Sequence, residues 1–163
     1  MKLVYNPRQT VLVTCREEVP IMGKNVHKDN IITLDWHMPL SFEPGMYAIS
    51  VGKSRFSRKI IEAGKSFCVN FMPPEKEDAI IYCGRHSGEH IDKFKEAGLG
   101  KEECDNIDCP RIKEASAYVE CETVQEIETG DHILFIAKIV GTKELKKGKR
   151  IFRLEANKFT TTK

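Results

Sequence analysis

Residues 46 to 57 read MYAISVGKSRFS, and this stretch joins a predicted strand to a predicted helix. Tyr47, Ile49 and Val51 alternate with smaller residues, a pattern that predicts a strand with one face in a core. Gly52 ends this strand, because glycine adopts the backbone conformations of turns at little cost. The stretch therefore predicts a strand that stops at a turn.

A short helix is predicted to follow the turn, from about Arg55 to Ala63. Ser54 is placed to cap its first N–H groups, and Gly64 is placed to stop it. Ile60 and Ile61 would form its buried face. The end of a strand and the start of a helix therefore lie close together in the chain.

Positive side chains crowd this helix start, although acidic residues are usual there because a helix N-terminus carries a partial positive charge. The basic residues are Lys53, Arg55, Arg58 and Lys59, and the hydroxyl groups are those of Ser54 and Ser57. A bound phosphate would explain the crowding, since it accepts bonds from N–H, hydroxyl and guanidinium groups together. An ordinary solvated basic helix face explains the same residues equally well.

The rest of the chain is rich in strand-like runs. Apolar, β-branched runs predict strands at 11–15, 31–34, 67–72, 117–125, 133–140 and 150–154. Short helices are predicted at 76–83 and 91–97, an irregular loop at about 102–110, and turns at Gly130-Asp131 and Lys147-Gly148. Many strands with few helices favour a barrel over a parallel doubly wound sheet.

Length and composition limit the possible classes of protein. The 163 residues are 40% hydrophobic and 31% charged, which suits one domain spanning residues 1–163. No run approaches the roughly 18 apolar residues of a membrane span, and the start lacks the apolar segment of a signal peptide. The net charge of +2 gives no general attraction for nucleic acid. We therefore expect a cytoplasmic protein without membrane or nucleic-acid partners, whose six cysteines are mostly reduced and buried.

A second group of polar residues surrounds the single tryptophan. The group lies on and just after the strand at 31–34 and comprises Asn30, Thr33, Asp35, Trp36 and Ser41. Donors and acceptors beside a flat apolar surface suit a planar heteroaromatic ligand. The same residues also suit a plain strand and turn with Trp36 in the core, and the pattern by itself leaves both interpretations open.

A metal site is a competing interpretation of one region. His86, His90, Cys104 and Cys109 are all residue types that bind zinc. Their spacing matches no common zinc-finger order, so we expect no metal.

Seven segments carry a family resemblance in a fixed order. Five of them are residues 10–14 (TVLVT), 30–36 (NIITLDW), 39–44 (PLSFEP), 49–57 (ISVGKSRFS) and 67–70 (FCVN). The other two are Gly84 to Gly88 running into Asp92 to Phe94, and Gly130-Asp131-His132. Together they resemble the flavin reductase-like family, which includes flavoredoxins and ferric reductases. The resemblance implies a mainly β fold, an FMN-binding split β-barrel of Greek-key type with a few short helices.

The resemblance also implies a homodimer that holds FMN near the subunit interface. Asn30, Ile31, Thr33 and Trp36 would line the isoalloxazine, partly through backbone groups. The ribityl chain and phosphate would be held by Ser50, Gly52, Lys53, Arg55 and Ser57. His132 would lie near the docking place of a nicotinamide and position substrate, although a turn histidine at the start of a strand is an equally good interpretation.

The implied activity is flavin-dependent oxidation and reduction. NAD(P)H would be the co-substrate, and FMN would pass its hydride on to a flavin, a ferric chelate or another small acceptor. Relatives that take electrons from a redox partner protein leave open a flavoredoxin-like electron-transfer role. A third possibility is a different phosphorylated heteroaromatic ligand, as in the related pyridoxamine-phosphate oxidase-like barrels.

Overall fold

A computed structural model describes residues 3–163, which form antiparallel strands and a few short helices. The strands are β1 (Arg8–Gln9), β2 (Val11–Ile21), β3 (Lys24–Leu34), β4 (His37–Phe42), β5 (Gly45–Gly52), β6 (Ser66–Phe71), β7 (Lys101–Glu103), β8 (Pro110–Ile112), β9 (Ala117–Thr129), β10 (His132–Glu144), β11 (Ile151–Glu155) and β12 (Lys158–Thr161). The helices are α1 (Phe56–Gly64), α2 (Glu77–Arg85) and α3 (Lys93–Glu96), and a 3₁₀ turn (Pro74–Lys76) precedes α2.

Seven strands form the main sheet in the order β3-β2-β6-β9-β10-β5-β4, and every pair in it is antiparallel. The sheet curls until β3 approaches β5, which makes it a split barrel. Strands β1, β11 and β12 form a separate small sheet, and β7 pairs with β8 in another. The barrel therefore brings the end of β3 close to the end of β5 and the start of α1.

Both faces of the first half of β2, residues 11–15, are buried, which explains why this part of the strand is mostly apolar rather than alternating. Val11, Val13 and Cys15 face the barrel interior, whereas Leu12 packs in a second core under α2 and α3. Helix α1 closes the barrel with apolar side chains that include Ile60 and Ile61. The site described below lies where these two cores meet.

The structure confirms the mainly β class, the predicted strands and the tight turn at Gly130-Asp131, where Gly130 has a φ of 63°. The sequence did not predict β4, because Pro39 and Pro44 argue against a strand. Strand β4 tolerates proline because it forms the edge of the sheet, where a missing N–H leaves no neighbour unpaired. The segment predicted as irregular at 102–110 has short paired strands at its two ends.

Two local predictions are wrong. Ser54 does not cap α1, because Arg55 occupies the N-cap position and no side chain caps this end. Lys147-Gly148 does not form a tight hairpin turn, since β10 ends at Glu144 and β11 begins only at Ile151. The first of these differences leaves the start of α1 open. No helix within residues 3–163 has both the length and the apolar character needed to cross a membrane.

Candidate functional site

Two cavities adjoin at the start of α1. The first has a volume of about 200 Å³ and lies against α1, the end of α2 and the loop that follows it. The second has a volume of about 220 Å³ and lies between the ends of β3, β5 and the start of β10. Ile32, Arg55 and Gly84 line both cavities, so the two form one continuous cleft.

The start of α1 supplies the first cavity with free backbone donors. No side chain caps the helix and its first turn holds no acidic residue. The first N–H groups of a helix have no partner within the helix, and they attract an anion together with the partial charge of the helix. Ser54, Arg55 and Ser57 line the cavity at this point. The arrangement suits a phosphate group.

Asn30 joins β3 to this helix start. Its side-chain N–H₂ donates to Ser57 Oγ at 2.9 Å, and both residues are buried. Its amide oxygen is buried and has no hydrogen-bond partner among the described residues. A buried acceptor without a partner is costly, so this oxygen is suited to accept a bond from a ligand hydroxyl.

The loop after α2 closes over Asn30, and glycine permits the approach. A Cβ at Gly88 would stand 1.9 Å from the Asn30 amide oxygen, and a Cβ at Gly84 would stand 3.3 Å from Thr33 Cβ. Larger side chains would therefore push into the cleft or displace its walls. The glycines keep the first cavity narrow without filling it.

Lys93 adds a buried positive charge to the same cavity. Its ammonium group donates to the carbonyl oxygens of Ile31 and Cys83, each at 2.8 Å. An ammonium group has three N–H donors, so one remains for an anion in the cavity that Lys93 lines. Burial lowers the pKa of Lys93, and the neighbouring Arg55 lowers it further. A bound anion would oppose this lowering, because a neighbouring negative charge favours the protonated ammonium group.

Trp36 and His132 form an aromatic wall of the second cavity. Their ring centroids are 4.7 Å apart, with an angle of 37° between the rings. Trp36 is fixed through its carbonyl, which accepts from Ser50 N at 2.9 Å, and His132 lies opposite Gly52 in the β10–β5 register. Thr33 also lines this cavity and donates its hydroxyl to Ile80 O at 2.6 Å. The cavity thus offers a flat surface beside polar groups.

An acidic neighbour orients the His132 ring. Its Nδ1 lies 2.6 Å from Asp131 Oδ1, and the contact lowers the pKa of the exposed Asp131 carboxyl. When Nδ1 donates to this carboxylate, the neutral ring leaves Nε2 as an acceptor. The Nε2 atom lies 3.7 Å from the position that a Cβ would take at Gly52, within the second cavity.

Eight of the ten residues proposed from the sequence line the cleft. Asn30, Arg55 and Ser57 line the first cavity, and the second is lined by Thr33, Trp36, Ser50, Gly52, Arg55 and His132. The Ile31 side chain instead packs in the second core, and only its carbonyl reaches the site, through Lys93. The Lys53 side chain lines neither cavity and forms an ion pair with Glu128.

For several residues of the first cavity, no role was predicted from the sequence. Lys93 looks like any surface lysine in the sequence, because its burial under α2 depends on contacts distant in the chain. Gly84 and Gly88 belong to a segment that carried the family resemblance, yet nothing local showed that they face Asn30 and Thr33. The available signal was that Gly84 and Gly88 flank a short polar segment just after the helix predicted at 76–83.

The described residues contain no group of three or more His, Cys, Asp or Glu side chains arranged to hold a metal ion. His86 instead lines the first cavity and stacks on Tyr82, with ring centroids 4.0 Å apart. His86, His90, Cys104 and Cys109 therefore do not come together as metal ligands.

The chain resembles known proteins in both sequence and structure. Residues 3–154 match the model of the family described as "Flavin reductase like domain". An uncharacterized protein of Archaeoglobus fulgidus is 36% identical over 120 residues, which cover 74% of this chain and 68% of the relative. The reductase component of a flavin-dependent trigonelline monooxygenase from Acinetobacter baylyi is 25% identical over 80% of this chain and 37% of its own length.

Solved structures share the fold at lower identity. An FMN-binding protein from Thermus thermophilus superposes with a TM-score of 0.84 at 22% identity, covering 97% of this chain and 87% of its own. Flavoredoxin of Desulfovibrio vulgaris (Miyazaki F) also gives a TM-score of 0.84, at 20% identity, covering 100% of this chain and 90% of its own. These likenesses establish the split-barrel fold.

Proposed function

The chain belongs to the flavin reductase-like domain family, and from this premise we propose that it is an FMN-dependent oxidoreductase. It takes hydride from NAD(P)H and passes the electrons through FMN to a flavin, a ferric chelate or another small acceptor. The observation that carries the proposal is the continuous cleft, in which a basic cavity at a helix start adjoins a flat cavity with an aromatic wall.

The first cavity fits the phosphate and ribityl chain of FMN. Arg55 and Lys93 supply positive charge, and Ser57 and the uncapped start of α1 supply neutral donors. Charge-assisted bonds of this kind are about twice as strong as neutral ones. The buried amide oxygen of Asn30 would gain its missing partner from a ribityl hydroxyl. Lys53 is assigned a supporting role, because its ammonium group already pairs with Glu128.

The second cavity fits the isoalloxazine ring. Thr33, Ser50 and Gly52 offer polar and backbone groups along the ring edge, while Trp36 covers one end. Bound FMN would supply hydride acceptance and electron transfer, so the chain itself needs no acid or base of its own. Its residues bind and orient the ring and exclude water from one side of it.

His132 is the residue that would act on the substrate side. Asp131 fixes its ring, and Trp36 packs against it at the opening of the second cavity. An Nε2 acceptor at this position would orient the carboxamide of a nicotinamide. Holding two reactants in a productive geometry lowers the barrier substantially, and we assign His132 that positioning role.

A homodimer is part of the proposal. Strand β4 is the edge of the main sheet, and it exposes the apolar side chains of Met38, Leu40 and Phe42. An exposed apolar edge strand invites pairing with another chain, and a second copy of this chain would cover it. Because β4 continues directly from Trp36, a partner subunit would lie beside the second cavity. Six free cysteines in the described chain support a cytoplasmic location for this assembly.

An electron-transfer role is the second candidate. The likeness to flavoredoxin supports it, and the cleft would serve either role because both need the same FMN site. In that case a redox partner protein, rather than a nicotinamide, would reduce the FMN. The two candidates differ only in the electron donor.

The experiment has two stages. The protein is first titrated with FMN, and a flavin absorption spectrum with micromolar or tighter affinity is expected. The FMN-loaded protein is then mixed anaerobically with NADH and, separately, with NADPH. We expect a rapid loss of the flavin absorbance at about 450 nm. A protein that ignores FMN would overturn the cofactor assignment, whereas FMN binding without bleaching by either nucleotide would favour the electron-transfer role.

A further inference from the structure

Three cysteines meet at the end of the molecule that carries the β7–β8 hairpin, outside the cleft. Cys68 lies on β6, and Cys104 and Cys109 flank the loop between β7 and β8. Cys68 and Cys109 are fully buried in one small cluster with Tyr118, and Cys104 packs against this cluster while remaining partly exposed. All three are free thiols. Nothing in the proposed flavin chemistry uses them.

Cys104 and Cys109 face each other across the hairpin. The ladder of β7 and β8 pairs Glu103 with Pro110, and Cys104 N donates to Cys109 O at 3.0 Å one position further. Directly opposed residues of antiparallel strands have Cβ atoms about 4.5–5.5 Å apart. A disulfide needs about 3.5–4.5 Å, so a small movement of the loop would bring the two sulfur atoms into bonding range.

Charged side chains hold the two ends of this loop in place. The buried Glu120 carboxylate accepts from the N–H groups of Asp105 at 2.9 Å and Asn106 at 2.8 Å. Arg16 pairs with Glu103 at 2.6 Å and with Asp108 at 3.0 Å, and these residues are the chain neighbours of Cys104 and Cys109. The thiols therefore stay close together although no metal-binding group is present among residues 3–163.

The thiols of the cluster differ in reactivity. Hydrogen bonds from the Cys109 and Cys68 thiols lower the pKa of Cys104, an effect that the Arg111 charge supports and that burial and the Glu120 charge oppose. Burial raises the pKa of both Cys109 and Cys68. The thiolate is the reactive form of cysteine, so the accessible member of the cluster is also its nucleophile.

We propose that Cys104 is a site of oxidation by hydroperoxides and that Cys109 is its resolving thiol, the two closing an intramolecular disulfide. The Cys104 thiolate attacks the distal oxygen of the peroxide, the O–O bond breaks, and the alcohol or water leaves after taking up a proton. The Cys109 sulfur then attacks the sulfur of the resulting Cys104 sulfenic acid. An S–S bond forms, the S–O bond breaks, and water leaves with the Cys109 proton.

The electrons balance over these two reaction steps. Two thiols lose two electrons, and one peroxide is reduced to an alcohol and a water molecule. Cys109 rather than Cys68 is the resolving partner, because it lies on the same hairpin, whereas Cys68 is fixed in the centre of the main sheet by pairing on both sides. The site stands whether or not the cleft binds FMN.

The test uses the reduced wild-type protein and one equivalent of hydrogen peroxide. Trypsin releases residues 102–111 (EECDNIDCPR) as one peptide that contains both cysteines. We expect this peptide, digested without reductant, to become lighter by about 2 Da, the loss of two hydrogen atoms. An unchanged peptide, a peptide carrying only added oxygen, or one linked to the peptide of Cys68 would overturn the proposal.

Variants separate the two roles. Cys109→Ala should accumulate a Cys104 sulfenic acid that dimedone traps, with a yield at least about tenfold above that of the wild type. Cys104→Ala should show no dimedone adduct in this peptide. Cys121→Ala removes a buried cysteine of the barrel core and serves as the control, in which the loss of about 2 Da should persist. If Cys109→Ala does not fold, the wild-type peptide alone decides the question.

Discussion

The amide oxygen of Asn30 lies 1.9 Å from the point where a Cβ on Gly88 would stand. The Asn30 side chain cannot move away easily, because it is buried and its N–H₂ group donates a hydrogen bond to Ser57. The loop after α2 therefore depends on glycine at this position, and a cleft wall made of β3 depends in turn on that loop.

Replacing Gly88 should distort the wall of the cleft that Asn30 forms. We expect Gly88→Ala to displace Asn30, break its bond to Ser57 and weaken FMN binding at least about tenfold, the equivalent of one lost hydrogen bond of about 1.4 kcal/mol. Fluorescence titration measures the affinity. Gly148→Ala is the matched control, because a Cβ there meets no atom within 4 Å. Equal affinities in the two variants would contradict the assignment.

Arg55 and Lys53 should differ in their effect on FMN. Arg55 lines both cavities, whereas Lys53 is paired with Glu128. Arg55→Ala should weaken binding by about 1.5–3 kcal/mol, the range for a bond to a charged group, which is roughly 10- to 150-fold. Lys53→Ala should change the affinity by less than about threefold, because an exposed ion pair contributes little. A larger loss in Lys53→Ala than in Arg55→Ala would reverse these roles.

His132 should affect reduction by nicotinamide rather than FMN affinity. We expect His132→Ala to lower kcat/KM for NAD(P)H at least about tenfold through lost positioning, while the dissociation constant of FMN changes by less than about threefold. Stopped-flow reduction at several nucleotide concentrations separates binding from hydride transfer. Asp131→Asn keeps the ring but weakens its orientation, so its effect should be smaller. Loss of FMN in His132→Ala would instead indicate a cofactor-binding role.

His37 should make the protein less stable in mild acid. Burial lowers the pKa of His37 from 6.5, more than its bond to the Gln9 carbonyl raises it. The unfolded chain therefore binds a proton at a pH where the folded chain does not, so the free energy of unfolding decreases as the pH falls below 6.5. Urea unfolding measures this free energy between about pH 7 and about pH 5, the range in which histidine side chains titrate. In His37→Gln this slope should flatten, and an unchanged slope would assign it to other groups.

The exposed edge strand should control assembly. Phe42→Asp places a charge on the fully exposed apolar edge of β4 and should convert a dimer to a monomer in sedimentation experiments. Met22→Asp, at the tip of the β2–β3 hairpin where Met22 is also highly exposed, should leave the dimer intact. A wild-type protein that is already monomeric would contradict the homodimer.

Most strands could be predicted because their signal is local. β-branched runs such as residues 11–15 and 31–34 are apolar through burial on both faces, and the Gly130-Asp131 turn follows from glycine alone. Strand β4 could not be predicted, since its prolines are acceptable only at the edge of a sheet and the order of strands is a property of the whole fold. Ser54 failed as a cap because the turn after Gly52 places Arg55 at the helix start.

Strand alternation and turn chemistry act over a few residues, so the mainly β class follows from local sequence. The grouping of Asn30, Trp36 and Arg55 in one site was implied only by the family resemblance. Long-range packing sets which side chains meet: Arg55 faces the cleft while Lys53 pairs with Glu128, and Lys93 is buried beside Asn30. Contacts between residues far apart in the chain depend on how the barrel closes. Closure is set by the packing of whole strands, which no short stretch of residues encodes.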